Sequence, residues 1–157
     1  MSEKQYDLVV LGGGTAGYVA AIRASQLGKK VAIVEKSLLG GTCLHKGCIP
    51  TKALLKSAEV TRTVRQSSEF GIDTNGLHIN FEKMMNRKTD IVNQMHNGVQ
   101  SLMQKNHIDI YNGIGRIMGT SIFSPQSGTI SVEYEDGSSE LLPNQFVLIA
   151  TGSRPQT

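Results

Sequence analysis

The 157-residue sequence contains no apolar run long enough to span a bilayer. Its first residues, Met1-Ser2-Glu3-Lys4, are polar and form no signal-peptide core. A cytoplasmic protein is therefore expected. In that compartment a lasting structural disulfide is unusual, and a catalytic one is the common exception. Tryptophan is absent, and aromatic residues make up only 5% of the chain. Lys29-Lys30 and Arg62/Arg65 stand apart without interleaved aromatics, and the net charge is a modest +3. They read as solvated faces and not as a nucleic-acid surface. No repeat, low-complexity tract or internal linker interrupts the chain. The length suits one domain with a real core.

Cysteine is scarce too. The only two, Cys43 and Cys48, share the stretch Gly40-Gly41-Thr42-Cys43-Leu44-His45-Lys46-Gly47-Cys48-Ile49-Pro50-Thr51-Lys52. In a regular helix this spacing places the two side chains about 140° apart, at ~100° per residue. A disulfide would require a bend, which Gly47 and Pro50 make easier. Three readings are open: a redox disulfide, half of a metal site, or two buried thiols. Buried thiols need neither flanking glycines nor an adjoining proline. Zinc needs about four ligands. Only His45 lies near, while His78, His96 and His107 are scattered, so no metal site is expected. The redox reading leads.

Residues 6–11 form a short apolar run that reads as a buried parallel strand. Gly12-Gly13-Gly14-Thr15-Ala16-Gly17 follows at once, and Tyr18, Ala20, Ala21, Ala24 and Leu27 continue as a helix. Gly28 stands where a left-handed cap residue belongs. Residues 31–34 form a second strand, closed by Glu35. This is the dinucleotide-binding βαβ pattern of a Rossmann-like α/β fold. Gly12 permits the tight turn, Gly14 lets the backbone approach a pyrophosphate, and Gly17 lets helix and strand pack closely. The helix start offers N–H groups and partial positive charge to phosphates. The Glu35 carboxylate can accept both hydroxyl protons of an adenosine ribose, and no arginine beside it favours a 2′-phosphate. The pattern alone does not separate FAD from NAD.

Residues 50–65 read as a helix with Leu54, Leu55, Ala58, Thr61 and Val64 near one face, and residues 66–76 as a loop. Residues 81–105 carry a helical period behind an Asn80 N-cap, with methionines as core filler. Ile108-Asp109-Ile110-Tyr111 reads as a third parallel strand. Residues 115–118, 129–134 and 140–142 suggest a small antiparallel meander, with turns at Ser124-Pro125 and Asp136-Gly137. Residues 145–149 return to an apolar strand before Ala150-Thr151-Gly152-Ser153.

The cysteine stretch resembles the active-site motif of the flavoprotein disulfide reductases, the class I pyridine nucleotide-disulfide oxidoreductases. The form Cys-Leu-x-x-Gly-Cys-Ile-Pro-Thr-Lys is most similar to the lipoamide-acting members. The glutathione and mercuric members usually carry valine where Leu44 and Ile49 stand. The resemblance runs from Tyr6 to Pro155. It implies that the first βαβ unit binds FAD and that an NAD site comes later in the full-length enzyme. Electrons then pass between a dithiol, the Cys43–Cys48 disulfide, FAD and NAD⁺. Cys43 is implied to be the interchange thiol and Cys48 the thiolate against the flavin, with Lys52 near flavin N5. The FAD contacts implied are Gly12, Gly14, Thr15, Ala16, Gly17, Glu35 and Lys36, then Gly41, Thr42, Cys43 and Lys52. Gly113 and Gly115 follow beside the adenine, and Ala150, Thr151, Gly152 and Ser153 complete the set. For Gly113 and Gly115 a plain strand-turn role competes. His45 and Lys46 fill variable family positions and are expected to be exposed bystanders, and Pro50 is expected to set the turn.

The resemblance further implies the N-terminal segment of an FAD domain over residues 1–157. The later FAD segment, the NAD-binding domain and the C-terminal interface domain with its acid–base pair are expected to be absent. The implied partners are dihydrolipoamide on an acyltransferase subunit, a 2-oxoacid or acetoin dehydrogenase complex, and a second copy in the full-length homodimer. The competing readings are the FAD domain of a mercuric or glutathione-type reductase, and a non-catalytic nucleotide-binding redox module.

Overall fold

Parallel strands are apolar along their length because both faces are covered, and two early segments meet that demand. Tyr6–Leu11 (β1) and Val31–Glu35 (β2) pair in parallel, joined by Thr15–Gln26 (α1). The structure is a computed structural model that describes residues 5–119, 128–154 and 156. Residues 1–4, the turn expected at Ser124-Pro125, and Pro155 lie outside the described residues. The chain divides into two compact units, one of residues up to Gly41 together with those from Gly98 on, the other Thr42–Asn97.

In the first unit the parallel sheet has the order β3-β2-β1-β7, with β3 at Asp109–Asn112 and β7 at Asn144–Ile149. The expected third strand and the returning strand both hold. A separate sheet, β4 (Ile114–Ile117), β5 (Ile130–Glu133) and β6 (Ser139–Leu142), is the expected antiparallel meander. Its turn at Asp136-Gly137 closes through the Gly137 N–H, which donates to the Tyr134 carbonyl at 3.1 Å.

One buried apolar cluster lies between the two sheets. Tyr6, Val9 and Leu11 of β1 and Ala32 and Val34 of β2 pack against Ile130, Val132 and Leu142 of the meander. Val9/Leu11, Ala32/Val34 and Ile130/Val132 are each two apart, as a pleat requires, while Tyr6 stands three residues before Val9. The opposite face carries α1, which comes close because Gly17 has no side chain: a Cβ there would sit 3.3 Å from a Val10 methyl. Each large apolar side chain taken fully out of water contributes about 1.5–3 kcal/mol. The buried start of β1 also holds a polar cluster. The Tyr6 hydroxyl donates to Asp109 at 2.5 Å and lies 2.7 Å from the Tyr111 hydroxyl.

Two helices end within this unit in the same way. After α1, the Gly28 N–H donates to Ser25 and the Lys29 N–H to Ala24, with Gly28 at φ +80° as expected. After Phe81–Lys105 (α4), the His107 N–H donates to Gln104 and the Ile108 N–H to Met103. The left-handed position there is held by His107, at φ +53°.

In the second unit, Gly41–His45 (α2) leads to Cys48–Arg65 (α3) and then into α4. The Asn80 cap holds: its Oδ1 accepts the Lys83 N–H at 2.9 Å. Two expectations need correction. The segment 66–76 is not wholly loop, because Ser67–Phe70 turn as a 3₁₀ helix. The covered face of α3 holds Leu54, Thr61 and Val64 as expected but not Leu55 or Ala58. Ala53 is buried and Ser57 half-buried, while Leu55 and Ala58 are exposed. Ser57 can face inward because its hydroxyl donates to the Ala53 carbonyl one turn back, and Thr61 does the same to Ser57. Of the methionines, Met103 is fully buried, but Met95 is exposed.

Candidate functional site

Ligands of open parallel sheets sit beyond the carboxyl ends of the strands. In the first unit β1, β2, β3 and β7 end together there. The Gly12 N–H donates to the Val34 carbonyl at 2.8 Å and the Ala150 N–H to the Leu11 carbonyl at 2.8 Å, which fixes the turn after β1 between its two neighbours.

Gly12 and Gly17 are each required for their own reason. Gly12 has φ +101°, and a Cβ on it would lie 2.3 Å from the Ala150 oxygen. A Cβ on Gly17 would lie 1.8 Å from the Gly12 oxygen, so Gly17 accommodates the turn as well as the strand. Gly14 differs, since the nearest atom to its missing Cβ is the Gly41 Cα at 3.9 Å. Gly41 in turn has φ +62° and approaches Gly14 with no room for a side chain. The Gly40 N–H donates to the Gly13 carbonyl at 2.8 Å and holds this second loop on the first. Helix α1 begins at Thr15 and Ala16, both exposed, with no side-chain cap and no acid in its first turn. Its leading N–H groups and dipole suit an anion.

Glu35 is half-buried and firmly held. Its Oε2 accepts the Gly13 N–H at 2.7 Å, and its Oε1 accepts the Ser37 N–H at 2.8 Å and the Ser37 hydroxyl at 3.1 Å. A carboxylate offers about four lone-pair directions. One direction on Oε2 is left beyond these three bonds, fewer than the two ribose hydroxyls of the sequence reading would use. The sequence reading did not single out Gly13 and Ser37 as site residues. Their role depends on the fold returning β2 beside the turn.

Leu11, Gly12, Val34, Glu35, Lys36, Gly113, Ile114, Gly115 and Thr151 line one cavity of about 210 Å³. Of the residues named from sequence, Gly12, Glu35, Lys36, Gly113, Gly115 and Thr151 line it, whereas Gly14, Thr15, Ala16, Gly17, Gly41, Thr42, Cys43, Lys52 and Ala150 do not. Gly113 is the pivot where the chain leaves the parallel sheet for the meander, and a Cβ there would lie 2.6 Å from the Glu133 oxygen. A Cβ on Gly115 would lie 2.5 Å from a Leu11 methyl. Both glycines therefore satisfy the plain steric reading and line the cavity too. A wider groove of about 900 Å³ shares Lys36, Gly113 and Ile114 and runs past Glu133 and Asp136. Arg116 donates to Glu133 at 2.6 Å and lowers the Glu133 carboxyl below its ordinary range. Gly152 and Ser153 are exposed and do not line either cavity.

In the second unit, the helix that would have splayed the cysteines is broken between them. Cys43 lies half-buried in α2, and Cys48 is the exposed first residue of α3. The break falls at Gly47, whose ψ of −108° is not helical. The Thr42 carbonyl accepts the Lys46 N–H at 2.9 Å, and a Cβ on Gly47 would crowd that oxygen at 3.1 Å. Pro50 sits in the first turn of α3, where its missing N–H leaves no bond unmade. The turn is therefore made at Gly47, and Pro50 is accommodated by α3. Thr42 and Lys52 are exposed. Lys46 is exposed as expected, but His45 is half-buried and its ring contacts His96. The scatter of the histidines along the sequence concealed that pair. Among the described residues no three His, Cys, Asp or Glu gather as a metal group, and no helix is long and apolar enough to cross a membrane.

Residues 6–157 match the family model of the pyridine nucleotide-disulphide oxidoreductases. The chain is similar to a dihydrolipoyl dehydrogenase of Bacillus subtilis, at 61% identity over 97% of this chain and 32% of the relative. It is 45% identical to a dihydrolipoyl dehydrogenase of Acholeplasma laidlawii, over 96% of this chain and 41% of the relative. A mitochondrial dihydrolipoyl dehydrogenase of Schizosaccharomyces pombe is 43% identical over 95% of this chain and 28% of the relative. The chain thus spans about a third of the length of the curated relatives it matches.

Proposed function

This chain belongs to the pyridine nucleotide-disulphide oxidoreductase family, and from that premise we propose that it is the FAD- and disulfide-bearing part of a dihydrolipoyl dehydrogenase. The observation that carries the reading is the cavity joining Gly12, Glu35, Lys36, Gly113, Gly115 and Thr151 beside an uncapped helix start. That cradle fits an adenine dinucleotide: N–H groups of α1 for the pyrophosphate, Glu35 for the ribose, and two glycines beside the ring. FAD, when bound, supplies the two-electron chemistry that links a dithiol to a nicotinamide.

The chain's own part is thiol exchange. One substrate thiolate attacks the Cys43 sulfur and displaces Cys48 as a thiolate. The second substrate thiolate then attacks the mixed disulfide and displaces Cys43. The substrate dithiol is oxidised, the Cys43–Cys48 pair is reduced, and the two thiol protons of the substrate are released or taken up by the new thiolates. Cys48 begins an 18-residue helix whose N-terminal dipole favours negative charge at that position. In the longer protein, NAD⁺ is the expected acceptor and an acyltransferase-borne dihydrolipoamide of a 2-oxoacid or acetoin complex the expected donor, with a homodimer as the assembly. The 157-residue chain alone is expected not to turn over lipoamide with NAD⁺.

Reconstitution with FAD followed by titration with dihydrolipoamide tests the reading. The expected result is a yellow chain in which two thiols appear per reducing equivalent pair, with neither Cys43→Ser nor Cys48→Ser able to form the disulfide. Parallel titrations with oxidised glutathione and Hg²⁺ separate the related reductases. A chain that takes up NAD but no FAD, with cysteines that never pair, overturns it.

A further inference from the structure

We propose that Ser37 reads one hydroxyl of the adenosine ribose while Glu35 reads the other, which makes Ser37 a specificity-determining residue of the nucleotide site. The inference rests on the FAD reading given above. A ribose presents two vicinal hydroxyls, each able to donate one proton. Glu35 cannot accept both. Its Oε1 takes the Ser37 N–H at 2.8 Å and the Ser37 hydroxyl at 3.1 Å, and its Oε2 takes the Gly13 N–H at 2.7 Å. Of the about four lone-pair directions of a carboxylate, one is left. With Glu35 alone, one ribose hydroxyl would find no acceptor.

The Ser37 Oγ supplies it. Glu35 Oε1 also accepts the Ser37 N–H, so it is an acceptor, and the hydroxyl hydrogen of Ser37 points at it. That direction of donation leaves the two lone pairs of Oγ open. Ser37 is exposed, so nothing of the protein covers them. It lines the wider groove together with Lys36, Gly113 and Ile114, and those three also line the cavity that Glu35 lines. The two acceptors are near neighbours. Oγ stands 3.1 Å from Oε1, and Oε2 is the other oxygen of the same carboxylate. A vicinal diol that donates over about 2.7–2.8 Å at each end can bridge such a pair. A hydroxyl that already donates to a carboxylate is also the better acceptor, because linked hydrogen bonds polarise one another. The pair therefore favours a ribose with both hydroxyls over one that lacks either.

The test compares FAD with its 2′-deoxyadenosine and 3′-deoxyadenosine analogues by flavin fluorescence quenching. The chain should bind each analogue about three- to tenfold more weakly than FAD, the worth of one net hydrogen bond. Ser37→Ala should bind FAD more weakly by a similar factor. It should lose its preference over one analogue and keep it over the other, as a mutant cycle on a direct contact requires. The Glu35 carboxylate stays held by two backbone N–H donors in that variant, so a swing of the acid does not account for the loss. Ser37→Thr keeps the hydroxyl and should restore both preferences. A chain indifferent to one hydroxyl overturns the inference, as does Ser37→Ala with both preferences kept or both lost, or Ser37→Thr behaving like alanine. In each of these cases the FAD reading stands. A chain that binds no FAD overturns that reading and this inference together.

Discussion

The Glu35 carboxylate reaches back from the end of β2 to accept the Gly13 N–H at 2.7 Å. The acid that would meet the ribose therefore also ties the glycine turn to the neighbouring strand. Glu35→Gln keeps the volume but turns an amide NH₂ toward one of the N–H donors of Gly13 and Ser37. The expected outcome is about 1.5–3 kcal/mol of lost stability, the scale of a hydrogen bond to a charged group. FAD affinity should fall about tenfold, equivalent to 1.4 kcal/mol. Urea unfolding and flavin fluorescence quenching measure the two effects.

Two glycines of the βαβ unit should respond differently to the same added methyl. At Gly17 the Cβ would lie 1.8 Å from a backbone oxygen, and backbone cannot swing aside. Gly17→Ala should lose several kcal/mol, as overpacking combined with backbone displacement does. At Gly28 no atom lies within 4 Å, and only the left-handed φ of +80° resists. Gly28→Ala should therefore lose about 1–2 kcal/mol and leave nucleotide binding intact. Thermal melts with and without FAD distinguish them.

Alkaline pH should weaken the fold through its tyrosines. Burial, then the hydrogen bond to Glu140, pushes Tyr134 up to about 12. Burial first and the Asp109 bond second push Tyr6 upward as well. The unfolded chain, in which tyrosine titrates near about 10, loses these protons first. Their contribution is therefore whole below about pH 10 and is lost as the pH rises through about 12 for Tyr134. Urea midpoints between pH 8 and 12 should fall along this limb. Tyr6→Phe should remove the latest-titrating fraction of the 295 nm absorbance.

His107 holds a left-handed cap position that glycine ordinarily fills. His107→Gly relieves about 1–2 kcal/mol of backbone strain and gives back part of it to the entropy of the unfolded chain. A net gain of about 0.5–1 kcal/mol is expected, seen as a higher Tm.

Much of this molecule was legible from residue order alone. The apolar runs of β1 and β2, the glycines between them and Glu35 behind them encode a parallel βαβ unit, because strand period, turn sterics and cap chemistry act over a few neighbouring residues. The meander and the returning strand β7 were legible for the same reason. The cysteine stretch pointed to a bend, and the bend is at Gly47.

Other features depend on segments far apart in the chain. Ser57 turns inward and Leu55 outward on α3 because a hydroxyl can satisfy itself one turn back, which an apolar count does not register. Gly113 and Gly115 are small because Glu133 and Leu11 arrive beside them. His45 meets His96 across 51 positions only once α2 and α4 come together. Residue order determined the elements and the chemistry each carries, because local sterics and hydrogen bonds select them. Tertiary packing decided which of those residues share a cavity or a ring contact, because no short-range interaction encodes a distance between segments that only the fold brings together.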